Sequence, residues 1–364
     1  MKLYFFKTTR STHEKISELF DFVWPAVAAM WNFRKQVSDY LTDNPNAHDQ
    51  QLDEHFTHPA SIYGASLKSA WLSQSWESQQ EEFAKMLLIN IVAVYEGWIR
   101  DVLTELDQYN SYLAKTFQFS ESSTASSPGI ESALAMITSK ESAILKQCFY
   151  DQLCKNKMHS PSYLEGMMIC YCYFKELRNC EIHNGGRANR HLMAAYEAFT
   201  MITTPEQLGI KVIPRHHIPV YGRKTHIQIH GVAGLTSLVL RTIVTLDAEL
   251  SRSAAAKNAF VTKWQSTHPN AVKLPRDVRQ MNTTLRRLFQ EADFPICEDP
   301  SKMLTLLQHF SLAYLPVKQS RGFRPRSRSS CGSTESSHHS ERKVAPEQNL
   351  GLQSVLAVEQ SIKR

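Results

Sequence analysis

Apolar residues recur at helical spacing along most of the chain, and the clearest case runs from about Gln79 to Asp107. The apolar positions of this segment are Phe83, Met86, Leu87, Ile89, Ile91, Val94, Tyr95, Trp98, Ile99 and Leu103. A helix with so wide an apolar face buries most of its surface against other elements. The pattern therefore predicts a long central helix.

A second strong helical pattern starts after Ser160-Pro161 and stops at Asn184-Gly185-Gly186. Serine followed by proline is a favourable start, because serine caps the first turn and proline fits within it. Asparagine and glycine tolerate the left-handed conformation with which many helices end. The buried side of this helix is expected to carry Leu164, Met167, Met168, Tyr171, Phe174, Leu177 and Ile182.

Other helical patterns complete an all-α prediction. They cover the first 70 residues with a polar break at 42–46, then 129–155, 189–202, 232–251 and, as three helices, 254–316. One stretch alternates apolar and polar residues instead: Ile210–Pro214 and Thr225–His230, with Tyr221–Lys224 as a turn between them. This alternation predicts a small β-hairpin.

The predicted hairpin is rich in histidine, which raises the possibility of a zinc site. Its histidines are His216, His217, His226 and His230. No cysteine or carboxylate lies at ligand spacing within the hairpin, so a polar strand face is the preferred interpretation. No metal and no cofactor are expected.

Composition and charge add two constraints. The chain has 364 residues, 42% of them hydrophobic, which is enough for a globular body with a real core. Residues 318–364 contain nine basic and four acidic side chains, so this segment carries most of the net charge of +6. Attraction to polyanions is therefore local. The Ser- and Arg-rich composition of the last 45 or so residues predicts a disordered basic tail.

The seven cysteines are odd in number and include no Cys-x-x-Cys pair, which favours reduced thiols. The first residues lack the sustained apolar region of a secretory signal. No apolar run is expected to reach the roughly 18–20 residues of a membrane helix. These observations predict a cytoplasmic protein without a membrane partner.

The residues with the most chemical promise are Arg178, Asn179 and His183, at the end of the second helix. Arginine binds phosphate and histidine transfers protons. Arg178 and His183 are about 140° apart around a helix, whereas Asn179 and His183 share a face. The reach of arginine and fraying of the last turn would bring them to one rim. The alternative is that Arg178 pairs with Glu176 or Glu181 on the surface and His183 caps the helix.

The run Leu177–Gly186 resembles the R-x4–6-H motif of the HEPN superfamily, in which a polar residue such as Asn179 often follows the arginine. The run Val94–Asp101 resembles the aromatic-acid-x-aromatic helix of the same superfamily. Within that helix, Glu96 and Arg100 are expected to form an intrahelical ion pair. The resemblance covers roughly residues 78–252. The predicted organisation is an N-terminal helical segment (1–77), a HEPN-like domain (78–252), a helical extension (253–316) and the tail (317–364).

The resemblance implies a helical bundle that dimerises, with the motifs of two subunits facing one cleft. It also implies a metal-independent endoribonuclease of toxin–antitoxin, antiphage or stress-defence systems. His183 would transfer protons, Arg178 would clamp the phosphate and Asn179 would position it. The ribose 2′-hydroxyl attacks the phosphate, and one histidine cannot be both base and acid in that step. A symmetric dimer supplies two.

The implied partners are an RNA substrate, a second copy of the chain and an antitoxin or other inhibitory partner. Arg187, Arg215, Arg223 and Lys224 would contact RNA phosphates. The alternative function is a non-catalytic HEPN module that binds RNA or a protein.

Overall fold

Three long helices, at residues 76–105, 164–183 and 229–251, form the centre of the protein. In the computed structural model, the described residues are 4–56, 68–69, 73–121, 128–202 and 204–316. The α-helices within them are α1 (Lys7–Asp43), α2 (Asp49–Phe56), α3 (Trp76–Glu105), α4 (Ser111–Thr116), α5 (Ile130–Thr138), α6 (Ala143–Leu145), α7 (Asp151–Leu153), α8 (Leu164–His183), α9 (Arg190–Thr200), α10 (Ile229–Ser251), α11 (Ala256–Thr267), α12 (Val278–Glu291) and α13 (Pro300–His309). The all-α prediction is confirmed for this part of the chain, whereas the predicted tail lies outside the described residues.

Helix α8 lies between α3, α9 and α10. A single 3-10 turn, Pro161–Tyr163, leads into it, with proline in the first turn as expected, but the side chain of Ser160 makes no capping hydrogen bond. Every residue from Met167 to Lys175 is buried, so this part of the helix has no solvent face. A helix that is apolar all round belongs in the middle of a core. The last two turns of α8 reach the surface, where Ile182 is exposed rather than buried as expected, and they carry the candidate site.

Helix α10 is a long apolar helix that is buried over most of its length. Contrary to expectation, it is long and apolar enough to cross a membrane by length and composition, the one such helix among the described residues. Most of its apolar stretch is buried inside the protein. Near the start of α10, residues 214–215 cross this helix at close range. A Cβ at Gly231 would lie 2.1 Å from the carbonyl oxygen of Arg215, so only glycine permits this crossing.

The N-terminal segment is bonded to the centre of the bundle. The backbone N–H groups of Phe5 and Phe6 donate to the buried carboxylate of Asp247 in α10, at 2.7 and 3.1 Å. Glu105 at the end of α3 accepts from Thr8 at the start of α1. These bonds satisfy backbone donors that a helix start leaves without an intrahelical partner.

The three helices predicted within 254–316 are confirmed as α11, α12 and α13. Two short strands, β1 (Val272–Lys273) and β2 (Ala313–Tyr314), pair in parallel and join the ends of this region. One buried hydrophobic cluster runs from Phe5 to Ala313 and includes residues of all three predicted helical segments. The segment boundaries themselves stay a prediction.

The single helix expected over 129–155 is wrong. Helix α5 ends at Thr138, and α6 and α7 follow on either side of a π-helical segment, Lys146–Tyr150. Between α5 and α6 the backbone bonds to the chain after α10. The backbone N–H of Ala254 donates to the carbonyl of Lys140, and that of Ser142 donates to the carbonyl of Arg252. These tertiary hydrogen bonds replace the helical ones, so the helix is interrupted.

The predicted hairpin is also wrong, because the chain from 210 to 228 forms no strand. Pro214 and Pro219 lack the N–H donors that a strand ladder requires. Lys224 pairs instead with Arg187, just beyond α8. Flanking hydrogen bonds run from Thr225 to Gly186 and from Ala188 to Arg223. The segment therefore docks on the end of α8 rather than on itself.

Candidate functional site

The two motifs that sequence analysis singled out meet in the structure. Nη2 of Arg178 donates to Oε1 of Glu96 on α3 at 2.8 Å. Lys175, one turn earlier on α8, places its Nζ 3.7 Å from the same oxygen. Two cations of α8 thus share one carboxylate of α3. The expected Glu96–Arg100 pair is wrong, because Arg100 bonds to its neighbour Asp101 instead.

The guanidinium of Arg178 is mostly enclosed. Its side chain is 16% exposed, and its Nε is buried without a hydrogen-bond partner among the described residues. The hydroxyl of Tyr171, two turns earlier on the same face, is likewise buried and unpartnered. Burial, followed by the nearby Glu96 carboxylate, raises the pKa of Tyr171 well above its ordinary value. Two polar groups beside the ion pair therefore keep unused hydrogen-bonding capacity.

Lys175 is held by more than Glu96. Its Nζ donates to Oε1 of Gln118 at 2.7 Å and lies 4.6 Å from the centre of the Phe119 ring. Burial lowers the pKa of Lys175, and the Glu96 carboxylate opposes that effect. Sequence analysis missed this residue. Its spacing of three from Arg178 was a usable signal, because positions three apart lie side by side on a helix.

His183 is the last residue of α8 and is exposed. Within the described part of the chain it makes no hydrogen bond or ion pair. The helix remains regular through His183, so the expected fraying does not occur. Arg178 is directed towards α3 while His183 faces solvent. One chain therefore does not bring these two side chains to one rim.

The remaining contacts correct the surface alternative. Asn179 donates to Oε1 of Glu176 at 3.1 Å, so that carboxylate is not the partner of Arg178. His183 does not cap the helix, because the backbone N–H of Asn184 donates to the carbonyl of Cys180. Gly185 and Gly186 have φ of +58° and +71°, which confirms the predicted helix end.

Glu181 connects the end of α8 to two other elements. It accepts from Oγ1 of Thr225 at 2.7 Å and lies 3.6 Å from Nζ of Lys85 on α3. Gly186 lies directly against this carboxylate, because a Cβ at this position would be 3.1 Å from its oxygen. The ion pair and hydrogen bonds fix the segment around Thr225 beside the site.

Three of the four predicted RNA-contacting residues lie together at the end of α8. Arg187, Arg223 and Lys224 are exposed, and their segments are joined by the backbone pairing described above. Nη1 of Arg187 donates to the carbonyl of Gly222 at 3.2 Å. Tyr221, 61% exposed, precedes that glycine. Arg215 is exposed elsewhere, where the chain crosses the start of α10.

Two of the four histidines of the predicted hairpin, His217 and His226, lie together with ring centres 5.6 Å apart, whereas the other two each pack on other rings. His216 packs on the ring of Phe199. His230, at the start of α10, lies near Trp24 of α1. Nδ1 of His226 is 3.1 Å from a carboxylate oxygen of Glu81 on α3, a neighbour that sequence spacing could not show. Among the described residues, no group of three or more histidine, cysteine or acidic side chains is arranged to hold a metal.

The chain was compared with models of known protein families, with curated proteins and with solved structures. No family model, no curated protein and no solved structure matches it.

Proposed function

We propose that the protein is a HEPN-type, metal-independent endoribonuclease that acts as a homodimer. The observation that carries the proposal is the bond between Glu96 and Arg178. These residues come from two motifs that resemble one superfamily, they are 82 positions apart, and their side chains are in direct contact. A chance likeness of two short runs gives no reason for that contact.

In this proposal Arg178 binds the phosphate that is attacked, and Glu96 orients the guanidinium. The described contacts occupy only Nη2 of Arg178, and guanidinium has five donors in a planar fork. The remaining donors are suited to the extra negative charge of a phosphorane. Asn179, one residue further on, would position the substrate by hydrogen bonding.

His183 would move the proton. Its exposure at the C-terminal end of α8 leaves its ring nitrogens accessible to a substrate. Transesterification by the 2′-hydroxyl requires both a base and an acid, which one imidazole cannot supply in the same step. The opposed directions of Arg178 and His183 in one chain strengthen the argument for two chains, because the second copy supplies the missing group.

The basic groups that surround His183 would hold the RNA backbone. Arg187, Arg223 and Lys224 are exposed beside it and supply phosphate contacts. Tyr221 offers an exposed ring for stacking on a base. Arg215 stays a predicted contact, at a greater distance along the fold. Such an enzyme would act in the cytoplasm in toxin–antitoxin, antiphage or stress defence, restrained by an antitoxin or other inhibitory partner.

The test is RNA cleavage by the full chain in the presence of EDTA. Wild type, Arg178→Ala and His183→Ala are compared, and product ends are analysed for cyclic phosphate. We expect cleavage by wild type and a loss of at least about 100-fold in each variant, the usual contribution of acid–base or electrostatic groups.

The matched controls are Arg286→Ala on α12 and His191→Ala on α9, which remove an exposed arginine and an exposed histidine outside both motifs. Both controls are expected to cleave like wild type. The catalytic assignment is wrong if wild type does not cleave, or if His183→Ala cleaves as well as His191→Ala.

A second candidate is a non-catalytic RNA-binding module. The enclosure of Arg178 favours it, because a guanidinium paired with Glu96 also serves as a structural link between α3 and α8. This candidate predicts binding that weakens steeply with salt, requires Arg187, Arg223 and Lys224, and gives no cyclic-phosphate ends.

A further inference from the structure

An apolar strip runs along the solvent side of α3. Met86 and Ile89 are 63% and 38% exposed, and Ala93, one turn further on, is also exposed. These positions are three and four apart, so they lie on one side of the helix. Glu82 and Arg100 continue the same side at its two ends, with side chains 68% and 63% exposed. The strip is therefore apolar in the middle and oppositely charged at its ends.

Helix α8 extends this apolar surface. The two helices run in opposite directions, because Lys85 contacts Glu181 whereas Glu96, later in α3, contacts Arg178, earlier in α8. Ile182 follows Glu181 and is 46% exposed, so it lies at the level of the first half of the strip. The strip and this last turn of α8 together form the α3–α8 face. The two ion pairs hold it in a fixed shape beside the candidate site.

The order of side chains along the strip fits a second copy of the chain. A rotation of half a turn about an axis through position 91, perpendicular to α3, exchanges position 82 with 100 and position 89 with 93. Two copies of α3 packed antiparallel across this axis place Glu82 of each beside Arg100 of the other. The same pairing sets the large side chain of Ile89 on the small one of Ala93. A two-fold contact requires this self-complementarity in charge and in size.

The strip is less suited to RNA or to an anionic lipid surface. Its three middle positions, Met86, Ile89 and Ala93, are uncharged, and the exposed carboxylate of Glu82 repels phosphate. Neighbouring large apolar side chains that stay exposed on a folded chain mark a surface that another protein covers. The charge pattern identifies that protein as a copy of the same chain.

We propose that the α3–α8 face is the contact between two copies, with their α3 helices antiparallel across a two-fold axis near position 91. The inference rests on the proposed function, which requires a second copy to complete the site but does not say which surface that copy occupies. A copy seated on this face also covers the last turn of α8, where Ile182 precedes His183. The partner subunit is thereby brought to the candidate site.

The first test is sedimentation equilibrium of the full chain over a series of protein concentrations. We expect wild type to dimerise and Met86→Glu to raise the dimer dissociation constant by at least about 100-fold, because it buries an unpaired carboxylate from each copy. The matched control is Val278→Glu on α12, since Val278 is also 63% exposed. The control should dimerise like wild type, and circular dichroism checks that both variants keep their helices.

Charge reversal tests the register without changing the apolar middle of the strip. Glu82→Arg and Arg100→Glu each place like charges opposite one another across the axis. Each is expected to raise the dissociation constant by about tenfold at low salt. The double variant restores opposite charges and should dimerise like wild type. Only a contact that joins position 82 of one copy to position 100 of the other predicts this rescue.

The inference is overturned if wild type sediments as a monomer, if Met86→Glu leaves the dimer intact, or if the double reversal dimerises no better than the single ones. The exposed charge variants decide the matter even if Met86→Glu fails to fold. RNA cleavage is measured separately on the same proteins. A wild type that dimerises through this face without cleaving RNA refutes the proposed endoribonuclease alone. A wild type that cleaves RNA while Met86→Glu still dimerises refutes the proposed face alone.

Discussion

The buried carboxylate of Asp247 makes the stability of the fold depend on pH. Its carboxylate accepts from the backbone of Phe5 and Phe6, yet burial dominates and raises its pKa from 3.8 to about 6. The folded protein therefore binds a proton more tightly than the unfolded chain does. Stability from this group is fully present below a pH of about 4, falls as pH rises through about 6, and is constant above that.

Asp247→Asn tests this dependence, because asparagine resembles the protonated carboxyl and does not titrate. We expect the free energy of unfolding of wild type, minus that of the variant, to fall by an amount on the order of 3 kcal/mol between acid and neutral pH. Chemical denaturation of both proteins across that range measures it. A difference that stays constant with pH would show that burial does not shift this carboxyl.

Glu96 and Arg178 make a second residue-scale prediction. Removing either partner leaves the other partly buried without its countercharge, so Glu96→Ala and Arg178→Ala are each expected to cost about 1–3 kcal/mol. The double variant should cost less than the sum, because the interaction can be lost only once. Urea denaturation of the four proteins gives the coupling energy, and strictly additive costs would contradict a direct interaction.

At the scale of elements, the long helices were predictable and their neighbours were not. The apolar periodicity of α3 and the Asn-Gly-Gly end of α8 are local signals that tertiary contacts leave in place, whereas the expected Ser160 cap is replaced by a bond from Arg241. The break after α5 and the loop in place of a hairpin depend on partners 35 or more residues away, such as Arg252 and Ala188. No local pattern contains that information.

The candidate site was likewise predictable only in part from the sequence. Arg178, Asn179 and His183 follow from one short run, but the partner of Arg178 does not. Glu96 pairs with Arg178 of another helix rather than with Arg100 at i+4. The reason is that an exposed ion pair within a helix contributes only about 0.3–0.5 kcal/mol. Lys175 and the Glu181 contacts were missed for the same reason, since they join α3, α8 and the segment at Thr225.

The crossing at α10 gives an element-scale prediction. Gly231→Ala forces a methyl group against the Arg215 carbonyl and should destabilise the protein by about 1–3 kcal/mol or more. Gly97→Ala in α3 is the matched control, because its Cβ meets nothing closer than 4.0 Å. That variant should gain about 0.5–1 kcal/mol from helix propensity. Equal effects in thermal unfolding would rule out the crowding argument.

At the scale of the whole molecule, the N-terminal and C-terminal segments share one core. Nζ of Lys263 on α11 donates to the carbonyls of Phe5 and Asp293, and the ring of Phe5 packs on Phe149 and Phe294. Neither segment can leave without exposing aromatic rings of the other. The contacts therefore indicate one cooperative unit among the described residues.

This predicts a single unfolding transition. We expect tryptophan fluorescence and far-ultraviolet circular dichroism to give coincident denaturation curves for the full chain. A fragment ending at residue 253 should lose that cooperativity and bind a dye for exposed apolar surface. Two separated transitions in the full chain, or a fragment that melts as sharply as wild type, would show independent domains.

The bonds from Phe5 and Phe6 to Asp247 also affect how the chain matures on the ribosome. Phe6 is synthesised before its acceptor, which lies 241 positions later in the chain. Until α10 leaves the exit tunnel, the backbone N–H groups of Phe5 and Phe6 lack this acceptor, although α1 can already pack on α3. Because proteins are made from the N-terminus and exposed apolar surface promotes aggregation, we expect the nascent chain to be most prone to aggregation before α10 is made.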